Sequence, residues 1–186
     1  GHRAHAAAAN RPAVSHPLRW RPTAHARRLA TVGLLALAPA VVAGKPLLAV
    51  LAAPFLALLA LGLSRPVPDA IQAEATLDRS RCLEGEDVEI HLTLTTGTLV
   101  DLIGVTFEVP STVEFAPDHL PVVTVAGAAA LDQRVVIRAR QWGRVTIGPV
   151  RVRLRAGGNT KEAEVSVRVG ELAVYPEPSA VQTVLA

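Results

Sequence analysis

The residues before Asp69 include no acidic side chain, and two long apolar runs fill most of this part of the chain. The runs cover 29–44 and 46–63 and are separated only by Lys45. The first 68 residues carry eight basic side chains, whereas the remaining 118 carry sixteen acidic and eleven basic ones. The formal net charge of +3 is therefore the sum of +8 from residues 1–68 and −5 from residues 69–186. This division predicts a membrane-associated N-terminal part followed by a water-exposed domain.

Each apolar run approaches the thickness of a bilayer. An α-helix rises about 1.5 Å per residue, so the runs would span roughly 24 Å and 27 Å of a hydrocarbon layer about 30 Å thick. One continuous helix would place Lys45 and Pro46 at its middle, where a lysine costs about 2.5–3.5 kcal/mol. The tripeptide Gly44-Lys45-Pro46 favours a turn instead. We therefore expect a two-helix transmembrane hairpin over 29–63.

The basic residues that flank the runs predict an orientation. Arg27 and Arg28 precede the first run and Arg65 follows the second, whereas the turn between the runs offers only Lys45. Because basic residues accumulate on the cytoplasmic side, we expect a plasma-membrane protein with both termini in the cytoplasm and the lipid bilayer as its first partner. A cleaved export signal is an open alternative, with 29–42 as its apolar region and the domain outside the cell.

Changes in composition divide the rest of the chain. Residues 1–28 are rich in Ala, Arg, His and Pro and offer few side chains to bury, so we expect a disordered basic leader. A linker is expected over 64–70 and a folded domain over 71–178. Residues 179–186 are expected to begin a linker to a further domain.

From Ile71 onward apolar and polar side chains alternate, which is typical of half-buried β-strands. About seven short strands with turn signals between them, one at Thr96-Gly97, predict an all-β immunoglobulin-like sandwich. The immunoglobulin disulfide cannot form, because Cys82 is the only cysteine. We expect the segments 134–140 and 144–154 to form a hairpin that turns at Trp142-Gly143. The alternating segments are 88–95, 103–109, 134–140, 150–155 and 164–169.

Three segments carry a resemblance to a known family: "LEGEDVEIHLTLTT" at 83–96, "RQWGRVTIGPVRVRLR" at 140–155 and "LAVYPEP" at 172–178. The second combines an Arg-rich strand, an aromatic-Gly-Arg turn and a Gly-Pro step. Together with the basic leader and the apolar runs, they resemble the N-terminal half of bacterial proteins of the domain of unknown function 58 family. The resemblance implies a hairpin anchor and a β-sandwich, with a von Willebrand factor A-like domain to follow Ala186. It also implies a MoxR-type AAA+ ATPase as a protein partner and assigns no reaction.

The sequence contains no pattern typical of a catalytic, cofactor or metal site. Cys82 has no partner cysteine, and His91 and His119 have no neighbours at metal-ligand spacing. The part that begins at Asp69 is net acidic and has only four dispersed aromatic side chains, which argues against nucleic-acid binding. We therefore expect a non-enzymatic protein without a cofactor or a metal.

A stripe of arginines is the candidate interaction surface. We expect these side chains to share the outward faces of neighbouring strands, either as a solvated charged face or as a docking surface for anionic headgroups or an acidic partner. The sequence thus predicts a membrane-anchored module that presents an interaction surface in a membrane-associated complex, with an exported or cell-surface binding domain as the alternative. The stripe consists of Arg134, Arg138, Arg140, Arg144, Arg151, Arg153 and Arg155.

Overall fold

The computed structural model describes residues 14–176. Two short strands precede a pair of helices, and nine strands follow the helices. The elements are β1 (Val14–Pro17), β2 (Arg21–Pro22), α1 (Ala24–Val42), α2 (Pro46–Ser64), β3 (Ala70–Leu77), β4 (Arg81–Leu83), β5 (Asp87–Phe107), β6 (Val113–Phe115), β7 (Val122–Ala139), β8 (Gly143–Ile147), β9 (Val150–Ala156), β10 (Lys161–Val167) and β11 (Gly170–Tyr175).

The strands form two sheets around one apolar core. The larger sheet has the order β1-β3-β5-β9-β10-β2, with β7 paired to β5 and β6 paired to β7, and the smaller sheet has the order β4-β11-β8. Ile90, Ile103 and Ile137 of the larger sheet and Leu172 of the smaller one are fully buried in the same cluster. Burial of each such side chain contributes about 1.5–3 kcal/mol. The predicted β-sandwich is confirmed.

β5 and β7 form one long antiparallel ribbon that bends back on itself. Directly before the start of β7, the Pro121 carbonyl accepts a hydrogen bond from the Phe107 amide. At the end of β7, Ala139 pairs with Val113 of β6. The roughly six residues from Phe107 to Val113 reach at most about 20 Å. A straight strand as long as β7 would extend about 60 Å. The ribbon must therefore bend, so that its two halves face each other across the core.

The bend contains a β-bulge. The register between β5 and β7 shifts between Thr95 and Val100. Within that stretch Gly97 has a φ of 70°, a left-handed conformation that suits glycine. The Thr96-Gly97 signal, which we expected to be a turn between two strands, therefore lies inside the single strand β5.

β7 and β8 are not neighbours. After Ala139 the chain leaves the larger sheet, and beyond Trp142 it enters the smaller sheet as β8, which pairs with β11. β9 then returns to the larger sheet between β5 and β10. The expected hairpin at Trp142-Gly143 is wrong, because alternating side chains fit a crossing between two sheets as well as they fit a hairpin.

The leader that we expected to be disordered over 1–28 is structured in residues 14–28. β1 pairs antiparallel with β3, and β2 pairs antiparallel with β10. Trp20 Nε1 donates to the Pro68 carbonyl at 2.8 Å. The expectation was wrong for these residues because the exposed edges of β3 and β10 supply hydrogen bonds that the composition of the leader does not reveal. Residues 1–13 and the linker expected over 179–186 lie outside the described residues.

The two helices form where the apolar runs predict them, but the first begins earlier. α1 begins at Ala24 rather than at residue 29, because the Thr23 hydroxyl caps the helix by accepting a hydrogen bond from the Ala26 amide at 3.1 Å. α2 begins at Pro46. Amide groups in the first turn of a helix have no intrahelical acceptor, so a proline, which has no amide proton, is well tolerated at this position. α2 continues to Ser64, so the connection to β3 is shorter than the expected linker.

Candidate functional site

The helical hairpin, α1 and α2 with their Gly44-Lys45 turn, stands on the sandwich with most of its apolar side chains exposed. Val42 is 88% exposed, and only 17% of the residues along the membrane-length stretch of α1 are buried. A helix in the core of a soluble protein would instead bury an apolar stripe. By length and composition α1 can cross a membrane, and α2 adds a shorter apolar stretch over Ala49–Ser64. Further large apolar side chains of the hairpin that are exposed are Val32, Leu34, Leu35, Val41, Leu47, Val50, Leu51, Phe55, Leu58, Leu61 and Leu63.

The two helices contact each other through small residues. Gly33 and Ala40 of α1 and Ala52 of α2 are buried. A Cβ atom at Gly33 would lie 2.6 Å from Leu56 Cδ2, so a larger residue there would require the Leu56 side chain to move. Small residues at the contact are typical of helix pairs in membranes, where close packing replaces the hydrophobic effect. The hairpin thus directs its bulky apolar side chains outward.

The open end of the hairpin packs on the turn between β9 and β10 and on the first residue of β10. We call these residues, 157–161, the seat. At the start of α1, the Thr23 amide donates to the Thr160 carbonyl at 2.9 Å. The Thr23 hydroxyl donates to the Asn159 carbonyl at 2.6 Å while it also caps α1. Thr23 and Thr160 are both buried. One side chain therefore joins the first turn of the helix to the sandwich.

The end of α2 contacts the same seat. A Cβ atom at Gly62 would meet the Gly157 carbonyl oxygen at 2.5 Å and Thr160 Oγ1 at 2.8 Å. Lys161 Nζ donates to the carbonyl oxygen of Arg65 at 3.0 Å. The Asn159 amide donates to Asp101 Oδ2 at 2.9 Å, which ties the seat to β5. The hairpin is therefore packed directly on the sandwich.

The basic residues expected to flank the membrane fall at opposite ends of the hairpin. Arg27 and Arg28 lie in the first turns of α1, and Arg65 caps the end of α2 beside the seat. Lys45 lies at the far end, where it precedes α2. All four side chains are exposed. A 19-residue helix is about 28 Å long, so the two groups are separated by about the thickness of a hydrocarbon layer.

The predicted arginine stripe is not one continuous surface. β5 separates β7 from β9, and Arg144 lies in the other sheet on β8. Five of the seven side chains lie beside acidic partners, which leaves little unpaired charge for a ligand. The ion pairs are Arg134–Glu89 at 3.6 Å, Arg138–Asp87 at 2.8 Å, Arg140–Glu114 at 2.5 Å, Arg151–Glu108, and Arg153–Glu164 at 3.3 Å.

The remaining two arginines of the stripe differ from each other. Arg155 is half-buried on β9, and within residues 14–176 its Nε atom has no hydrogen-bond partner. Arg144 is exposed and makes no ion pair with any described residue. Among the pairs, two hydrogen bonds from Arg138 lower the pKa of Asp87, and the carboxylate in turn raises the pKa of Arg138. Because both groups are exposed, this pair contributes little to folding stability.

The residues considered for chemistry do not come together. Cys82 is buried on the inward face of β4, and burial raises the pKa of its thiol, which disfavours the nucleophilic thiolate. His91 Nε2 lies 2.7 Å from Asp132 Oδ1 in an exposed pair across β5 and β7. His119 Nδ1 is buried without a partner among the described residues. In the part of the chain that the structure describes, no group of three His, Cys, Asp or Glu side chains could hold a metal ion.

The sequence analysis missed the residues of the seat. A threonine directly before a helical segment is a recognisable capping signal, and Thr23 could have been found in this way. The pair Gly157-Gly158 predicts only a turn from sequence, and both residues have positive φ angles, of 67° and 65°. The contact of Gly62 with this turn could not be found from sequence, because it joins residues about a hundred positions apart.

Comparison with known proteins assigns no family to the chain. No protein-family model matches it, and no curated protein matches it. Among solved structures, it is similar to the cupredoxin domain of amoB from Nitrosocaldus yellowstonii, with 12% identity over 59% of this chain and 92% of that chain and a TM-score of 0.33. It is also similar to a non-cellulosomal cohesin from the archaeon Archaeoglobus fulgidus, with 11% identity, coverages of 55% and 91% and a TM-score of 0.34. A FixG-related protein from Vibrio parahaemolyticus gives 12% identity, coverages of 53% and 95% and a TM-score of 0.32. These similarities transfer no activity to the chain.

Proposed function

We propose that this protein is a non-enzymatic, membrane-anchored β-sandwich module whose helical hairpin crosses the bilayer twice. The observation that carries the proposal is the hairpin itself, in which two packed helices expose apolar side chains around their outer surface. In water this surface would be a large apolar patch of the kind that soluble proteins avoid. In a bilayer the same side chains face lipid, and the helices bond their own backbone groups internally. Pro39 and Pro54 each remove one such hydrogen bond, which membrane helices tolerate.

The charges at the ends of the hairpin support a cytoplasmic sandwich. Arg27, Arg28 and Arg65 lie at the end that contacts the seat, and Lys45 is the single basic residue at the turn. The positive-inside rule therefore favours the plasma membrane with both termini, and the sandwich, in the cytoplasm. Arginines at this level would also attract anionic headgroups, at about 1 kcal/mol for each residue near the surface.

The role of such a module is to hold an interaction surface at a fixed position near the membrane. The hydrogen bonds of Thr23 and the packing of Gly62 on the seat support this role, because they couple the hairpin to the sandwich without a flexible linker. The resemblance of 140–155 and 172–178 to the domain of unknown function 58 family supports a place in a membrane-associated assembly. On the same ground we propose a MoxR-type AAA+ ATPase as a partner.

Extraction of membranes tests the anchor. We expect the full chain to remain in the membrane pellet after washes with high salt and with alkaline carbonate, and to be released only by detergent. Salt removes proteins held by headgroup charge alone, because electrostatic attraction is screened within about 3 Å at 1 M. Release by salt or by carbonate would contradict a hairpin that spans the bilayer.

A further inference from the structure

The smaller sheet has an outward face that no described element covers. Along its strands, Cys82, Val145, Leu172 and Val174 are buried and point into the core. Alternate side chains must therefore point outward. We call the outward side of this sheet, with the adjoining Trp142, the distal face. Its residues are Arg81, Leu83, Trp142, Arg144, Thr146, Glu171, Ala173 and Tyr175.

One row of the distal face is apolar. Tyr175 is opposite Leu83 in the β4–β11 ladder. Val174, the residue before Tyr175, is opposite Gly143, so the backbone of Trp142, directly before β8, follows at the Tyr175 end of the row. Trp142 is 69% exposed, Tyr175 49% and Leu83 37%. The whole chain has only six aromatic side chains, and the two exposed ones in the sandwich lie together in this row. Exposed Trp and Tyr side chains that adjoin each other are typical of interaction hot spots.

The next row of the distal face is cationic. Ala173 is opposite Arg81 on one side and Arg144 on the other. Neighbouring strands lie about 4.8 Å apart, so the two arginines flank the small alanine at about 10 Å from each other. Both side chains are exposed, and neither forms an ion pair with any residue of 14–176. This row therefore differs from Arg134 and Arg138 of β7 and from Arg151 and Arg153 of β9, which lie beside acidic partners.

The distal face lies at the end of the sandwich away from the hairpin. β3 begins beside the N-terminal segment, where the Leu18 amide donates to the Asp69 carbonyl, and it runs about 25 Å to Leu77. β4 follows directly after this end of β3. The Glu84 amide then donates to the Tyr175 carbonyl, and the Gly85 amide donates to the Ala139 carbonyl. The apolar row is thus the part of the smaller sheet farthest from the seat.

The geometry points to the distal face as a docking surface for an acidic, apolar-rich segment of a partner protein. Apolar side chains of the segment would cover Leu83, Tyr175 and Trp142, and its carboxylates would pair with Arg81 and Arg144. The two rows are two residues apart along each strand, which is about 7 Å. In the partner segment, the acidic side chain would therefore lie about 7 Å from an apolar one, which is two residues away in an extended chain. This inference deepens the proposed function, on which it rests for placing the surface toward the cytoplasm.

A selection from a random peptide library tests the surface. The full chain in detergent micelles would be the target, and peptides of about twelve residues, which extend to about 40 Å, would be the probe. We expect the selected peptides to be enriched in Asp or Glu near Leu, Phe or Trp. Binding of a selected peptide to the W142A variant and to the R81A/R144A variant should weaken at least about tenfold, the loss typical of a hot spot. Replacement of the acidic residues of the peptide by Lys should abolish binding.

Two control variants remove similar side chains elsewhere. L99A removes an exposed leucine from the bulge of β5, and R134A removes an exposed arginine from the larger sheet. Both should bind the selected peptide as the native chain does. The inference would be overturned by peptides without acidic enrichment, by equal binding to the W142A and R81A/R144A variants, or by self-association of the chain through Trp142. Because the assay is done in micelles, its outcome is independent of membrane topology. Failure of the docking surface can therefore be distinguished from failure of the proposed anchor, which membrane extraction tests separately.

Discussion

Replacing residues 24–64 by a short glycine-serine linker is expected to move the protein from the membrane fraction to the soluble fraction while the sandwich stays folded. The deletion removes the exposed apolar surface of α1 and α2 and leaves the core residues of the sandwich in place. The two cut ends lie close together, because the Thr23 amide bonds to Thr160 and the Arg65 carbonyl bonds to the neighbouring Lys161. A short linker can therefore join them without strain.

Fractionation of cells and thermal unfolding of the soluble product measure the two parts of this result. A control chain with the same linker inserted into the turn between Gly44 and Lys45 keeps both helices and should stay in the membrane fraction. A deletion variant that is folded and still bound to membranes would contradict the account, because the sandwich would then bind lipid without the hairpin. An unfolded deletion variant would show that the hairpin is needed for folding of the sandwich.

The second large effect is expected at the seat, where G157A should destabilise the protein more than G158A. Gly157 and Gly158 have nearly equal φ angles of 67° and 65°, so an added Cβ atom has a similar left-handed cost of about 1–2 kcal/mol in both. A Cβ atom at Gly158 meets nothing within 4 Å, whereas at Gly157 it would contact the Gly62 carbonyl oxygen. Overpacking of this kind costs about 1–3 kcal/mol more.

Thermal unfolding in detergent micelles measures the difference between these two variants. For a chain of this size, each kcal/mol corresponds to about 2–4 °C in Tm. G62A tests the same contact from the other side. At a helix position without tertiary contacts, alanine is more stable than glycine by about 1 kcal/mol. A lower Tm for G62A would therefore mean that the added Cβ atom clashes with the seat. Equal Tm values for G157A and G158A, together with a raised Tm for G62A, would show that α2 does not pack on the seat.

The elements that the sequence predicted well are those with long, regular patterns. The two apolar runs predicted both helices and the turn at Gly44-Lys45. Alternation over 88–94 and 164–167 indicated the buried faces of β5 and β10. Such patterns are reliable because each is set by one local period. β1 and β2 were missed because they have four and two residues, too few to show a period, and they are held by the edges of other strands.

The candidate site was harder to predict because it depends on pairing between distant residues. Arg138 and Asp87 are opposite each other in the β5–β7 ladder, so the arginine is matched by an acid about fifty positions earlier. Sequence alternation placed the arginines on outward faces but could not show which strands were neighbours. In the same way, Leu83, Trp142 and Tyr175 come from three separate segments, and only the fold brings them into one row.

Cysteine labelling in intact bacterial cells tests the central claim most directly. In a chain with Cys82 replaced by alanine, a single cysteine would be placed at Lys45, in the hairpin turn, or at the exposed Ser111 of the sandwich. With a membrane-impermeant maleimide, we expect K45C to be labelled in intact cells and S111C to be labelled only after the membrane is permeabilised. Labelling of S111C in intact cells would place the sandwich outside, and a processed N-terminus near Ala43 would then identify an exported domain behind a signal peptide.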